Sequence, residues 1–375
     1  MPLIAEKQLP LEYTNVLQML TMNASGLYYT KYVVNKLGVL EPKKPGVVKE
    51  RLLPPVAGGY FGPNICPVGI LSDDTAVWMS GIEAGVVARF QPGDESVVVY
   101  RSSDINDLRF LSYRLAIDKA RNIWCKGSAG PEGKISPAVC RLEVKNKLAR
   151  YWKLPIEFIS PFGLWVDKDQ NLWFTIINSN VGMSGVSFAR LNPDNGHLTA
   201  WTMGTGYQPS FAGIVGEPGG PRVWVTEDGM STNSSRVYRY DLSNDTCVQF
   251  SHPDMLRPRS IVLDESTNAW FTSLDGRINR ITKDAKGKPA AFTKTEMQIK
   301  PSRKPLIVEE YKVVSRDVSP SAVSNTDVAD EFGSEIHRWK VPSQGNAVPD
   351  SIVFFKGKIL FVENTDCQIG LMDAQ

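Results

Sequence analysis

The sequence has few of the residues that most often bind metals or act as catalytic bases. It contains three histidines in 375 residues, and none of its five cysteines stands in a Cys-x-x-Cys pair. A zinc site built on such pairs is therefore not expected. Phosphate-binding glycine loops, dinucleotide fingerprints and Gly-x-Ser-x-Gly elbows are also missing. These absences argue against the nucleotide-dependent enzymes and hydrolases that carry them.

The sequence also lacks an excess of one charge. It has 42 Lys and Arg against 40 Asp and Glu, so nothing favours a nucleic acid or an anionic membrane as partner. No apolar run approaches the roughly 20 residues of a membrane span. The first residues show no signal peptide. A cytoplasmic protein and a secreted protein whose signal has been removed would share this appearance, so the compartment stays open.

Cysteine pairing and glycosylation are open from the sequence. Cys125 and Cys140 fall on successive predicted strands, where a disulfide is geometrically possible, although buried free thiols are favoured. Acceptor motifs for N-glycosylation begin at Asn23, Asn233 and Asn244 in predicted turns. They matter only if the protein enters the secretory pathway.

What the sequence does contain is a repeated phrase, clearest as SPFGLWVDKDQNLWFT at residues 160–175. It is typical of a strand, a tight polar turn and a second strand. A third and a fourth strand are predicted after most copies of the phrase. The position of the tryptophan in Trp-Phe-Thr recurs at intervals of 46 to 51 residues and then after 90. It is occupied by Tyr28, Trp78, Trp124, Trp173, Trp224, Trp270 and, in the last repeat, Leu360. This period predicts the blades of a β-propeller.

The predicted fold is all-β, a single domain over residues 1–375 with seven four-stranded antiparallel blades. The last repeat has three strands, and the N-terminal IAEKQLP resembles a missing fourth strand. We therefore expect the N-terminal strand to complete the last blade and close the ring. Residues 283–333 lack the phrase and are rich in charged residues and proline. They are predicted to be a surface excursion inserted within blade six, on the face opposite the proposed site.

The repeated motifs resemble those of the virginiamycin B lyase (streptogramin lyase) family. The resemblance rests on PVGI at 67–70, LWFT at 172–175 and GRINRI at 276–281, and it covers nearly the whole chain outside the insertion. It implies a β-propeller. It also implies a site in which a histidine follows the proline of the phrase in each of the last two blades, and in which acidic residues and a magnesium ion complete the catalytic set.

The sequence departs from that family at the catalytic positions. Arg259 and Asp350 stand in place of the two histidines, Val348 precedes Pro349, and Asn364 replaces an acid. Without an imidazole base and most acidic ligands, a magnesium-assisted elimination is not expected. The resemblance therefore implies the fold without that mechanism, and no metal or organic cofactor is predicted.

The candidate site follows from the phrase. The residue after its proline begins the innermost strand, so its side chain is expected at the mouth of a central channel. These residues are Gln18, Val68, Tyr113, Phe162, Ser210, Arg259 and Asp350. A second ring after Trp-Phe-Thr adds Glu227, Ser273 and Glu363, and His252 lies in a loop on the same face. Apolar walls with a few polar groups are typical of a small-molecule pocket, although the same residues could simply fill the channel.

The expected function is a metal-independent enzyme that binds a hydrophobic, oxygenated small molecule. We expect a natural-product cyclase that performs dehydration, [4+2] hetero-Diels–Alder closure or both, because the site has donors to polarise a carbonyl but few bases. Arg259 or Tyr113 would donate to the carbonyl, and Asp350 would hold Arg259 or take a proton. The remaining site residues would bind substrate, and the protein is expected to be a monomer.

Two alternatives stay open at this point. One is a metal-dependent lyase or lactonase of the streptogramin-lyase or regucalcin type. Its ligands would come from Glu227, Asp350, Glu363 and Asn364. The other is a non-catalytic propeller that binds a protein on the face carrying the phrases.

Overall fold

The structure is a computed structural model. It describes residues 3–8, 17–40, 48–56, 64–131, 136–155, 160–177, 185–203, 210–228, 235–313, 315–318, 321–322, 326–327, 330–332, 336–340, 349–363 and 368–374. For residues 3–8, 17–18 and 315–340 the description is limited to the backbone. Val348 and Asn364 lie outside the described residues.

The described chain consists almost entirely of strands. The N-terminal strand is β1 (Leu3–Gln8). The first repeat contains β2 (Leu17–Asn23), β3 (Gly26–Lys31), β4 (Lys36–Leu40) and β5 (Val48–Leu52). The second contains β6 (Pro67–Ser72), β7 (Val77–Gly81), β8 (Val86–Gln91) and β9 (Ser96–Ser102). The third contains β10 (Leu108–Ile117), β11 (Ile123–Ala129), β12 (Ser136–Glu143) and β13 (Leu148–Lys153), with a short 3-10 helix at Val144–Asn146.

The later repeats follow the same plan. The fourth contains β14 (Pro161–Val166), β15 (Leu172–Ile176), β16 (Phe188–Leu191) and β17 (His197–Met203). The fifth contains β18 (Phe211–Gly216), β19 (Arg222–Glu227), β20 (Arg236–Asp241) and β21 (Thr246–Phe250). The sixth begins with β22 (Pro258–Leu263), β23 (Ala269–Ser273) and β24 (Arg277–Ile281).

The predicted insertion follows β24 and contains strands of its own. They are β25 (Lys288–Pro289), β26 (Phe292–Gln298), β27 (Pro301–Lys312), β28 (Ser315–Val318), β29 (Ser321–Ala322), β30 (Thr326–Asp327) and β31 (Asp330–Phe332). The chain then returns as β32 (Ile336–Lys340), β33 (Pro349–Phe355), β34 (Lys358–Glu363) and β35 (Gln368–Asp373).

The chain divides into two compact units. The first unit comprises Met1–Glu6, Glu157–Ile299 and Val323–Gln375, and the second comprises Lys7–Ile156 and Lys300–Ala322. Within each repeat, neighbouring strands pair antiparallel in chain order, as in β14-β15-β16-β17. β24 pairs directly with β32, so that Ile281 lies opposite Ile336, and β1 pairs with β35. The all-β prediction is confirmed, whereas the count of seven blades and the closure of a ring by β1 stay predictions.

The segment after β24 differs from the surface excursion expected from its composition. In the first unit, β25 pairs with β21 and β26 pairs with β17. In the second unit, β27 pairs with both β13 and β9, and β28 pairs with β5. These four strands, here called the inserted strands, therefore extend the outer edges of sheets that the repeats have built. Covering an edge in this way satisfies backbone groups that would otherwise be available to another chain.

A buried tryptophan and an arginine form the recurring core contact. Trp173 lies opposite Arg190, whose guanidinium carbon is 5.4 Å from the ring centroid. The same cross-strand pair recurs as Trp78 with Arg89, Trp124 with Arg141, Trp224 with Arg239, and Trp270 with Arg280. The indole is buried while the arginine covers it with its stem and cationic head, which explains why the two residue types repeat together.

Hydroxyl groups join the innermost strands of successive repeats. Thr226 Oγ1 accepts a hydrogen bond from Gly213 N–H and donates one to the Arg259 carbonyl, both at 2.7 Å. The same relay joins Gly163–Thr175–Ala212, Ser260–Thr272–Asp350 and, in the second unit, Gly69–Ser80–Ser112. A Cβ at Gly213 would lie 2.4 Å from the Arg259 carbonyl oxygen, so glycine is needed for this approach. The relay explains both the glycine of Pro-x-Gly-Ile and the threonine of Trp-Phe-Thr.

Cys125 and Cys140 are free thiols and do not form the disulfide that their positions would allow. Cys125 lies opposite Cys140 across β11 and β12, and both are buried and free. Burial raises the pKa of the Cys125 thiol well above its ordinary value, and the neighbouring Cys140 adds to this. Such a thiol packs as a small apolar side chain.

Candidate functional site

Arg259 is fixed at the start of β22 by its backbone. The pairing of β22 with β23 is irregular between Pro258 and Ile261, where Arg259 lies. An irregularity of this kind turns a side chain out of the regular alternation of a strand. The carbonyl of Arg259 is held by Thr226, as described above. The sequence therefore sets the direction of this side chain through the proline phrase and the threonine that precedes it along the chain.

The Arg259 guanidinium lies between two carboxylates. Its Nη1 is 2.7 Å from Asp228 Oδ2, and its Nε is 3.3 Å from Asp350 Oδ1. Burial alone would lower the pKa of Arg259, but Asp350 and Asp228 outweigh it and raise the pKa above its ordinary value. With 22% of its side chain exposed, Arg259 is a permanent cation that still reaches solvent. It therefore cannot act as a general base.

Asp228 and Arg257 complete the cluster, and both lie outside the two sets of positions that the repeated phrase marks. Asp228 is fully buried directly after β19, and its Oδ1 is 2.6 Å from Arg257 Nε. Arg257 Nη2 also reaches Asp228 Oδ2, at 3.4 Å. Two guanidinium groups thus converge on one carboxylate, which holds both in place through charge-assisted hydrogen bonds. The available signals were an acid directly after a buried strand and an arginine two residues before Arg259.

Phe162 provides an aromatic side to this cluster. The Arg259 guanidinium carbon lies 6.0 Å from the centroid of the Phe162 ring. Phe162 is half-buried at the start of β14, in the corresponding position of its own repeat. A guanidinium beside an aromatic face combines directional donors with apolar surface. The structure thus brings together Arg259, Asp350 and Phe162 among the residues predicted from the sequence.

Other predicted residues of the first unit are engaged elsewhere or only adjoin the cluster. Glu227 Oε2 accepts a hydrogen bond from Tyr238 at 3.0 Å, and burial followed by this negative charge raises the pKa of Tyr238. The backbone carbonyl of Ser210 accepts a hydrogen bond from the N–H of Asp228 at 2.6 Å. The buried hydroxyl of Ser210 has no hydrogen bond to the described residues. Glu227 is therefore held by Tyr238 and Arg236 of the neighbouring strand, whereas Ser210 supports Asp228.

Three further predicted residues have local roles. Ser273 Oγ is 2.8 Å from Asn279 Nδ2, within the β23–β24 pair. Glu363 is fully buried at the end of β34. His252 Nδ1 accepts the backbone N–H of Asp254 at 3.2 Å, so it stabilises a turn. A direct contact of any of these three with Arg259 is not among the described hydrogen bonds and ion pairs.

The remaining predicted residues belong to the second unit. Val68 is buried in β6 within a hydrophobic core cluster, and its carbonyl accepts a hydrogen bond from Thr30 at 3.1 Å. Tyr113 lies in β10 with 41% of its surface exposed. Gln18 lies in β2, and its side chain is outside the described part of the chain. Val68 is thus a core residue in its own unit.

The magnesium site implied by the family resemblance does not fit these residues. Arg259 occupies the position of one family histidine and places a cation between Asp228 and Asp350. A divalent cation bound by those carboxylates would face both Arg259 and Arg257 at close range. In the ranges that the structure describes, no group of three His, Cys, Asp or Glu side chains is arranged as a metal site. The charges at this position therefore do not suit a bound divalent cation.

The arrangement is suited to presenting hydrogen-bond donors. Among the described contacts, Arg259 uses Nε and Nη1, and Arg257 uses Nε and Nη2. Nη2 of Arg259 and Nη1 of Arg257 have no hydrogen bond to the described residues. Since the carboxylates fix both guanidiniums, these donors are pre-organised for a carbonyl, alkoxide or carboxylate oxygen.

Comparison with known proteins identifies the fold. No protein-family model matches the chain, and no curated protein matches it.

No helix in the described residues is long and apolar enough to cross a membrane.

Several solved structures match over the whole chain. A selenomethionine-substituted virginiamycin B lyase from Staphylococcus aureus has a TM-score of 0.67 at 18% identity, with 100% of this chain and 99% of that chain covered. A catalytically inactive variant of the Staphylococcus aureus enzyme with quinupristin gives 0.66 at 17% identity, with 99% of each chain covered. A streptogramin B lyase gives 0.65 at 16% identity, with 99% and 98% covered. The chain therefore has the β-propeller fold of the streptogramin lyases.

Proposed function

We propose that this chain is a metal-independent enzyme that acts on a hydrophobic, oxygenated small molecule. The observation that carries the proposal is the pair of guanidiniums held by Asp228, with Arg259 also bonded to Asp350 and lying beside Phe162. Fixed cationic donors next to an aromatic face stabilise negative charge that develops on a substrate oxygen.

The reaction class we favour is cyclisation. Loss of water from a hydroxyl-bearing precursor gives an enone or quinone methide, and a [4+2] closure with an alkene then forms one C–C and one C–O bond. No electrons are gained or lost in either step. Arg259 lowers the barrier by donating to the carbonyl oxygen, which makes the conjugated system more electron-poor. Asp350 positions Arg259, or it takes the acidic proton of the precursor and passes it to the departing hydroxyl, which leaves as water.

The proposal includes the finer architecture and the other site residues. We propose seven blades closed by β1, and we propose that Ser210, Glu227, Ser273, Glu363 and His252 of the first unit add further contacts to substrate. The substrate is a small molecule, and the enzyme acts as a monomer. The pairing of β1 with β35 supports closure, because it joins the N-terminal strand to the last repeat.

The test uses a substrate panel of 2-(hydroxymethyl)phenols with styrene. Product chromans are separated by chiral chromatography, because the uncatalysed closure gives a racemate and an enzyme gives an excess of one enantiomer. Arg259→Ala should lower turnover about 100-fold, as expected for loss of one pre-organised donor. Arg259→Lys should recover only part of it, because a lysine lacks the planar fork.

Two controls separate the alternatives. Arg239→Gln removes a guanidinium that stacks on Trp224 outside this cluster, and it should leave turnover unchanged. Treatment with EDTA should also have no effect. Loss of activity with EDTA would support the metal-dependent lyase or lactonase instead. Racemic products across the panel would count against the cyclase, and full turnover in a folded Arg259→Ala protein would remove Arg259 from the site.

A further inference from the structure

A cavity lies in the first unit at the ends of the strands opposite the Arg259 cluster. It has a volume of about 430 Å³, which is within the range of small-molecule sites. It is formed by the turn after β14, the turn between β18 and β19, and the start of the turn after β20. Phe162 begins β14 whereas Trp165 stands near its other end, so the cavity and the cluster face different ends of the same strand.

One wall of the cavity is an aromatic ring for which the fold makes room. Trp165 is half-buried, and its indole lies directly over Gly216. A Cβ at Gly216 would lie 2.0 Å from the ring, so the glycine is what allows the indole to lie flat there. Leu242 lies beside the same surface. These two side chains give the cavity an apolar side.

A buried carboxylate in the cavity departs from the pattern of the repeats. Asp167 and Asp264 each accept a hydrogen bond from the tryptophan of their own repeat, Trp173 at 2.8 Å and Trp270 at 2.9 Å. Glu217 stands at the equivalent turn position, but its turn is one residue longer. Its N–H bonds the carbonyl five residues on, whereas that of Asp167 bonds the carbonyl four residues on.

Glu217 makes no hydrogen bond to the tryptophan of its own repeat. Glu217 Oε1 and Trp224 Nε1 are both buried, and neither has a hydrogen bond to the described residues. Only 10% of the Glu217 side chain is exposed, and the nearest cation is Arg222 Nη1, at 3.6 Å from Oε1. A buried carboxylate oxygen without a donor is costly, and a ligand that supplies one would bind well.

A guanidinium of the opposite charge lines the same cavity. Arg190 stacks on Trp173 like its counterparts in other repeats, but it has no ion pair or hydrogen bond among the described contacts. By contrast, the equivalent Arg239 donates to the Lys283 carbonyl at 2.8 Å, and Arg141 donates to Glu143. Arg190 is therefore available to an anionic group.

We propose that this cavity is a second binding site, separate from the proposed active site, and that it takes a small zwitterion of amino-acid type. The ammonium group bonds Glu217, the carboxylate bonds Arg190, and an apolar side chain packs on Trp165 and Leu242. A zwitterion supplies a charged donor to Glu217 Oε1 and a charged acceptor to Arg190 at once, which a neutral polyol does not.

The test is thermal unfolding of the whole protein with matched ligands. L-phenylalanine, its methyl ester, N-acetyl-L-phenylalanine and glucose are compared at equal millimolar concentrations. L-phenylalanine should raise Tm, the methyl ester should raise it less, and the N-acetyl derivative and glucose should leave it unchanged. Glu217→Gln should weaken L-phenylalanine binding about tenfold or more in calorimetry.

Control variants decide between the site and a general effect. Arg239→Gln should bind L-phenylalanine normally, and Arg190→Gln should bind L-phenylalanine and the methyl ester equally weakly. Circular dichroism checks that each variant is folded, and turnover of Glu217→Gln should be normal because Glu217 is outside the proposed active site. No Tm shift with L-phenylalanine, an unchanged affinity in Glu217→Gln, or a shift with glucose alone would each overturn the proposal.

Discussion

The strands of the repeats and the inserted strands reach the same sheets by different physical means. β15 and β23 are buried at every position, and the core of their repeats consists of packed aromatic and aliphatic side chains. β26, at the edge of the fourth repeat, is exposed at most positions, and so is much of β27. The first kind of strand is held by side chains, the second mainly by its backbone.

Charged pairs add to the backbone ladder of the inserted strands. Lys304 lies 2.9 Å from Asp107, and in the first unit Lys294 lies 2.5 Å from Asp245. Exposed pairs of this kind contribute little each, typically below about 1 kcal/mol. A sheet can therefore be extended by a strand that buries few side chains, provided that its main-chain groups pair with the edge of that sheet.

The largest expected effect is removal of the whole inserted segment. Because Ile281 lies opposite Ile336, a short hairpin loop of Gly and Ser can join β24 to β32 in place of residues 283–335. The outer edges of β17 and β13 would then be unpaired, and we expect oligomers or aggregates in light scattering.

The same variant tests whether the segment takes part in chemistry. Turnover should stay within a few-fold of the full chain in any monomer that remains, because the proposed site lies on the repeats. A monomeric variant with the original Tm would mean that edge protection is not the role of the inserted strands.

The next effect compares an aromatic residue from each kind of strand. Trp173→Ala removes a fully buried indole that stacks on Trp201 and Phe188, and it should lower the free energy of unfolding by about 3–5 kcal/mol. Tyr311→Ala, in β27, should cost about 1 kcal/mol because that ring is only partly buried. Denaturant unfolding measures both, and equal losses would show that side chains stabilise the inserted strands as much as they stabilise the strands of the repeats.

A smaller effect is expected from the hydroxyl relay. Thr226→Val keeps the shape of the side chain but leaves Gly213 N–H and the Arg259 carbonyl without their partner, at a cost of about 1–3 kcal/mol. Thr226→Ser keeps the hydroxyl and should lose much less. If valine and serine destabilise equally, packing at residue 226 matters and the relay does not.

The smallest effect concerns a charge on an inserted strand. Lys304→Met should lower stability by roughly 0.2–1 kcal/mol at low salt, and this loss should disappear at high salt. The hydrogen bond from Lys304 lowers the pKa of Asp107, so the contribution is present above the ordinary Asp pKa near 4 and is lost as the pH falls through the lowered value. A salt-independent loss would show that the lysine stem, and not its charge, stabilises the strand.

The strands of the repeats were predictable from the sequence, whereas the inserted strands were not. Burial leaves a periodic mark, and the recurring tryptophan position of the phrase predicted the repeats because that side chain must be inside. The inserted strands leave no such mark, since their exposed side chains follow no alternation and their bonds are made by the backbone. Lys, Glu and Pro in β27 therefore read as a loop, although this strand pairs with two others.

The site was predictable in part for the same reason. The position after the proline identified Arg259, Asp350 and Phe162, because the phrase fixes where those side chains begin. Asp228 and Arg257 stand outside the phrase, and their role depends on distances between repeats that a single sequence does not give. Val68 obeys the phrase but faces the core of its unit, because the phrase fixes backbone position and not the packing of each repeat.

The relay hydroxyls also make the protein report on its own opening. The amide hydrogens of Gly69, Gly163 and Gly213 are bonded to a side chain of the paired strand, which in turn holds the next repeat. Such an amide exchanges with deuterium only when the innermost strand separates from its neighbour. Each glycine is therefore an isotopic probe of one junction, and the order of their exchange rates would reveal which repeat is released first.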